Sequence, residues 1–162
     1  MKKPSAARDR ILTTAHELFY RDGIRATGID KVIAEAGVTK VTFYRHFPSK
    51  QDLILAYLDY RHRLWMDWFQ GALLRHGDVV AAMQEWFESP DFRGCAFINA
   101  VGEMPETRDI VLRHKQEMIA ALHRDDADAV ALAIDGAILR AQYDSPEAAV
   151  SGLRRLLGGQ KH

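Results

Sequence analysis

Residues 38–50 read VTKVTFYRHFPSK and place Thr39, Lys40, Thr42, Tyr44, Arg45, His46 and Lys50 within thirteen positions. A helix that only supported a core would not need so many donors and cations. Together they suit a polyanion. Arg and Lys pair with guanine edges, Thr and Tyr reach phosphate oxygens, and an apolar residue such as Val41 can touch a thymine methyl. Thr27 and Lys50 fall at the starts of two further helical segments, where phosphates bind helix N-termini. Any single Lys or Thr here would be unremarkable on a solvated face. The combination is not, and the charge distribution agrees with it. Residues 1–50 carry ten Lys/Arg against five Asp/Glu, and the remainder carries twelve against seventeen, although the formal net charge is zero. A basic head on an acidic body is the footprint of a nucleic-acid or acidic partner.

The elements that must position these groups all read as helices, and the expected fold class is all-α. Ser5 is placed to cap a first helix with Ile11, Ala15, Leu18 and Phe19 on its apolar face, ending at Gly23. A short second helix starts at Thr27 or Gly28, with Ile29, Val32, Ile33 and Ala36 on one face. Gly37-Val38 turns the chain, and Thr39 opens a third helix whose inward residues are Phe43 and Phe47, stopped by Pro48. Ser49-Lys50-Gln51-Asp52 has the form of a capping box before a long fourth helix, marked by Leu53, Ile54, Tyr57, Leu58, Leu64, Trp65, Trp68, Phe69 and Ala72. Further helices are expected from Gly77-Asp78, over Phe92–Val101, from Thr107, over Asp128–Gln142, and from Ser145-Pro146 to Leu157. No segment shows sustained alternation of period two.

The second and third helices with their Ala36-Gly37-Val38 turn form a helix-turn-helix pattern, in which the second helix enters the major groove. The stretch GIRATGIDKVIAEAGVTKVTFYRHFPSKQDL, within residues 8 to about 58, resembles the DNA-binding domain of the TetR family of bacterial transcriptional repressors. The shared pattern is a Gly-Val turn, Thr-Lys-x-Thr-aromatic-Tyr-x-x-Phe, and a Ser-Lys pair opening the fourth helix. Gly28, where relatives often carry Ser or Thr, and Ile33, where many carry Ala, are departures. The resemblance implies a DNA-binding domain at 1–48 and a helical regulatory and dimerisation domain at 49–162. It also implies a homodimer on a palindromic, double-stranded operator, with Thr39, Lys40, Thr42, Tyr44, Arg45, His46 and Lys50 on DNA-contacting positions. The segments RGCAFINAVGEMPE and LAIDGAILRAQ are similar to regulatory-domain segments of that family, and the HRDDADA connection is short beside typical relatives.

In the body, aromatic residues at helical spacing are ordinarily core. A small-molecule effector pocket is the sharper alternative, and its expected lining is Trp65, Phe69, Trp86, Phe97, Asn99 and Glu103, with His62 and His114 as weaker polar candidates. The last two helices, over residues 128–157, are expected to form the dimer contact. The named stripes are Val130, Ile134, Ala137, Ile138 and Ala141, and Val150, Leu153, Leu156 and Leu157. An enzyme is disfavoured: no nucleophile elbow, phosphate-cradling glycine loop or metal-ligand spacing assembles. Neither cofactor nor metal is expected. An architectural nucleic-acid-binding protein without an effector is the alternative in a different class, and the aromatic cluster argues against it. With no signal-peptide pattern, no apolar run of membrane-spanning length and one cysteine, Cys95, the expected location is the cytoplasm.

Overall fold

The computed structural model of the chain describes residues 6–158, which are helical with no strand among them. The Ser5 cap and Gly159 lie outside the described residues. Helix α1 (Ala6–Asp22) buries Ile11, Leu12, Ala15, Leu18 and Phe19. It stops where Gly23 adopts φ +94°, with the Gly23 amide closing on the Phe19 carbonyl at 3.0 Å. Helix α2 (Ile29–Ala36) buries Val32 and Ala36 and has Gly28 at its N-cap, with no side-chain cap. Helix α3 (Lys40–His46) is capped by Thr39, which accepts from the Thr42 amide.

Helix α4 (Lys50–His76) runs for 27 residues. Its capping box forms in a modified way: the Asp52 amide donates to Ser49 Oγ at 3.1 Å, and the Ser49 hydroxyl donates to the Asp52 carboxylate at 2.7 Å. Helix α5 (Val79–Phe87) starts on the Asp78 carboxylate, which accepts from the Val80 and Ala81 amides. Helix α6 spans Ala96–Glu103, starting four residues later than the sequence reading. The segment before it turns at Gly94, φ +88°, and a Cβ there would collide with the Gln142 side chain. A 3-10 turn over Pro105–Thr107 leads into α7 (Arg108–Ala121), followed by α8 (Ala127–Tyr143) and α9 (Pro146–Gly158). No described helix is long and apolar enough to cross a membrane.

The chain packs as two compact units. The first holds residues up to Arg63 together with Ala96–Ile110, and the second holds Leu64–Cys95 with the chain from Val111 onward. Packing therefore divides the chain inside α4 and assigns α6 to the unit of α1–α3, whereas the sequence motif marks its division at 48/49.

Within the second unit α8 and α9 pack on each other, and α5 packs on both. The stripe expected to face a second copy turns inward: Val130, Ile134, Ala137, Ile138, Ala141 and Leu153 are buried in the chain's own core. A different set on α8 faces out. Leu132 is 74% exposed, Leu139 49% and Tyr143 72%, with Gly136 exposed between them and Ala129 exposed just before. Their spacing of three and four makes one continuous stripe. On α9, Leu156 is also exposed.

Candidate nucleic-acid interface

Two aromatic anchors set the orientation of α3. Phe43 and Phe47 are one turn apart and fully buried, with ring centroids 6.2 Å apart. Arg8 of α1 lies over the Phe47 ring at 5.2 Å. With these two residues inward, helical spacing drives Lys40, Val41, Tyr44 and Arg45 outward, and all four are exposed. Val41 is 70% exposed, which leaves it open to contact with a thymine methyl. The turn before α3 is closed by Gly37 at φ +63°, with the Gly37 amide on Ala34 O and the Val38 amide on Ile33 O, a Schellman-type closure. Thr39 is exposed and its hydroxyl donates to Thr42 Oγ1 at 3.0 Å. Thr42 and His46 are half-buried at the edges of the face.

Two of the expected phosphate contacts have other engagements. Thr27 is fully buried, and its hydroxyl donates to the Gly23 carbonyl at 2.8 Å. It braces the α1–α2 loop, and its side chain is closed off from any outside partner. Lys50 is half-buried, and its ammonium donates to the Ile24 carbonyl at 2.8 Å, tying the first turn of α4 to the same loop.

Glu103, expected in an effector pocket, also grips this loop. Its carboxylate accepts from the Ile24 amide at 3.3 Å and the Arg25 amide at 2.7 Å, while the Arg25 guanidinium donates to the Glu103 carbonyl at 2.6 Å. Asn99, on the same helix, is exposed. Phe97 is buried, with its ring 6.3 Å from that of His62. These three belong to the first unit.

Trp65, Phe69 and Trp86 belong to the second unit and do come together there. Trp65 stacks on Phe69 with centroids 4.7 Å apart and meets Trp86 edge-on at 5.5 Å. The buried His114 ring stands 5.3 Å from Trp65. The Trp65 indole N–H is buried with no hydrogen-bond partner, an expensive arrangement for a donor. Trp68 differs: its indole N–H donates to Glu85 at 3.0 Å, a carboxylate that also receives Arg75 at 2.8 Å and His76 at 2.5 Å. The His76 hydrogen bond, followed by that from Trp68, holds the Glu85 carboxyl below its ordinary range. This knot was not read from the sequence, where Glu85 shares no motif with Arg75 and His76. Cys95 is buried.

An exposed polar helix, held by two buried aromatic residues after a glycine turn, defines a helix-turn-helix DNA-binding protein. Comparison with known proteins gives the family. Residues 11–57 match the model of bacterial regulatory proteins of the tetR family. The chain is similar to SCO4454, a TetR-family transcriptional regulator from Streptomyces coelicolor, with 34% identity, a TM-score of 0.81 and 96% of each chain covered. The chain belongs to the TetR family of transcriptional regulators.

Among curated proteins it is 22% identical over 156 residues to an uncharacterised HTH-type transcriptional regulator in the lacX 3' region of Lactococcus lactis subsp. lactis, covering 91% of this chain and 79% of the other. Against other curated regulators it spans less than half of their own length. The fold is also that of the multidrug binding protein EbrR, solved with malachite green, at 24% identity and TM-score 0.76, covering 94% and 98% of the two chains.

Proposed function

We propose that the chain is an effector-responsive repressor that binds a palindromic operator as a homodimer. The outward face of α3 carries this reading: Thr39, Lys40, Val41, Tyr44 and Arg45 stand exposed on a helix whose buried side is fixed by Phe43 and Phe47. Residues 1–48 are the DNA-binding part and 49–162 the regulatory and dimerisation part. The second copy docks on the exposed stripe of α8 and on α9, within residues 128–157.

The effector site is assigned to the second unit, around Trp65, Phe69 and Trp86. Support comes from the unpartnered Trp65 N–H, which an acceptor on a bound molecule would satisfy. EbrR, which shares the fold, binds malachite green, an aromatic molecule of the kind such a cluster would suit. Helix α4 has its first turn at the α1–α2 loop and carries Trp65 and Phe69 further along. At about 1.5 Å per residue its 27 residues extend about 40 Å. Recognition helices of a dimer must stand about one DNA turn, roughly 34 Å, apart. An effector that favours a different tilt of α4 therefore lowers operator affinity, and a coupling of about 1–3 kcal/mol is sufficient.

Selection of bound sequences from random double-stranded DNA tests the reading. A palindromic consensus is the expected outcome. Recovery of no preferred sequence would refute it.

A further inference from the structure

The loop between α1 and α2 turns two successive amides, those of Ile24 and Arg25, onto the one carboxylate of Glu103, 79 and 78 residues along the chain. Gly23, at φ +94°, makes this possible, and a Cβ in its place would lie 3.3 Å from Glu103 Oε1. Consecutive backbone N–H groups converging after a left-handed residue form a nest, an arrangement that binds anions. Here the anion is a side chain of α6. The Arg25 guanidinium returns to the Glu103 carbonyl, so the end of α6 is held by one donor on its main chain and two on its side chain. On the other side of Ile24, the carbonyl accepts from Lys50 at the start of α4. One residue of the loop thus joins α6 to the first turn of α4, and Thr27 stiffens the loop from within. All of these groups lie in the unit that carries α3.

We propose that Glu103 is a positioning residue for DNA binding. Its carboxylate is the resident anion of the nest, and it holds the α1–α2 loop and the Lys50 end of α4 in the arrangement that presents α3. Without this carboxylate the nest is empty and the loop loses its tie to the end of α6. The sequence expectation that Glu103 orients an effector gives way here, because a carboxylate occupied by two amides is not free for one. The inference rests on the reading of α3 as the DNA-contacting helix.

The test is chemical rescue, using the sequence selected from random DNA. Wild-type binding is measured first. Failure of the wild-type chain to bind DNA would overturn the DNA-binding reading and this inference with it, whereas binding indifferent to Glu103 would overturn only the inference. Glu103→Ala empties the nest without touching α3. It is expected to weaken binding by about tenfold or more, the weight of a charge-assisted hydrogen bond, with helical content retained. Added acetate should then restore affinity saturably, while chloride at equal ionic strength should not. A purely structural defect would not respond to acetate, and wild-type affinity in the variant, or a loss that acetate leaves unchanged, refutes the inference. Should the variant fail to fold, amide exchange on the wild-type chain decides. The Ile24 and Arg25 amides should exchange at least tenfold more slowly than in unstructured chain, and exchange at the unprotected rate overturns the proposal.

Discussion

Replacing Leu132 with glutamate should split the proposed dimer and leave the fold of each copy intact. Leu132 is 74% exposed in the single chain, beside Leu139 at 49% and Tyr143 at 72%. Full burial of an aliphatic side chain is worth about 1.5–3 kcal/mol, so covering the exposed part of Leu132 contributes about 1–2 kcal/mol per copy. In a two-fold contact the residue counts twice, giving about 2–4 kcal/mol. A carboxylate buried in the same apolar seam adds a desolvation cost of several kcal/mol. Together these raise the dimer dissociation constant by about a thousandfold or more.

Sedimentation velocity over a concentration series reads the effect directly. The control is Ile138→Asp, on the opposite face of α8, where the side chain is 2% exposed. It puts a charge into the chain's own core and should abolish cooperative melting altogether. The same holds for Leu153→Asp at 1% exposure. Were Leu132→Glu to sediment as an intact dimer, or to lose its native helicity as Ile138→Asp does, the outward stripe would not be the contact.

Three other outcomes follow from the geometry. Lys40→Ala and Arg45→Ala should each cost about 1–3 kcal/mol of operator affinity if they read bases, and binding by the wild-type chain should weaken steeply with salt; a titration of affinity against salt checks both. Phe43→Ala removes a fully buried ring beneath α3 and should destabilise the chain by about 3–5 kcal/mol, measured by urea denaturation. His16 is held neutral, with its pKa lowered to about 4 by burial and then by the Arg61 charge, the Arg61 guanidinium lying 3.4 Å from His16 Nε2. Its folded pKa is below the ordinary 6.5, so its share of stability is present above pH 6.5 and is lost as pH falls towards 4. Discounted for partial exposure this is about 1–2 kcal/mol, and melting of His16→Gln against pH should show a correspondingly flatter slope in that window.

What could be read from the sequence was what depends on neighbours along the chain. The Thr39 cap, the Gly37 turn, the Phe43 and Phe47 anchors and the Ser49–Asp52 box all bond within three or four residues, and the pattern of residue types states them almost directly. The start of α6 escaped because its cause is remote: Gly94 is required where Gln142 packs, and nothing in RGCAFINA announces a residue 48 positions away.

The two faces of α8 show a different limit. Periodicity finds an apolar stripe, and α8 has two: one through Val130, Ile134 and Ile138, the other through Leu132, Leu139 and Tyr143. A helix apolar on both sides declares that both are covered, but its own sequence does not say which neighbour covers which. The polar residues are harder still. Thr27, Lys50 and Glu103 each have a side chain that suits an external ligand, and each is engaged by a main-chain group of the α1–α2 loop. Residue type reports what a side chain is able to bond, and only the fold decides whether its partner comes from outside or from the chain itself. In this loop the chain supplies the ligands, and the residues that looked like contacts to DNA and effector bond to the main chain between α1 and α2.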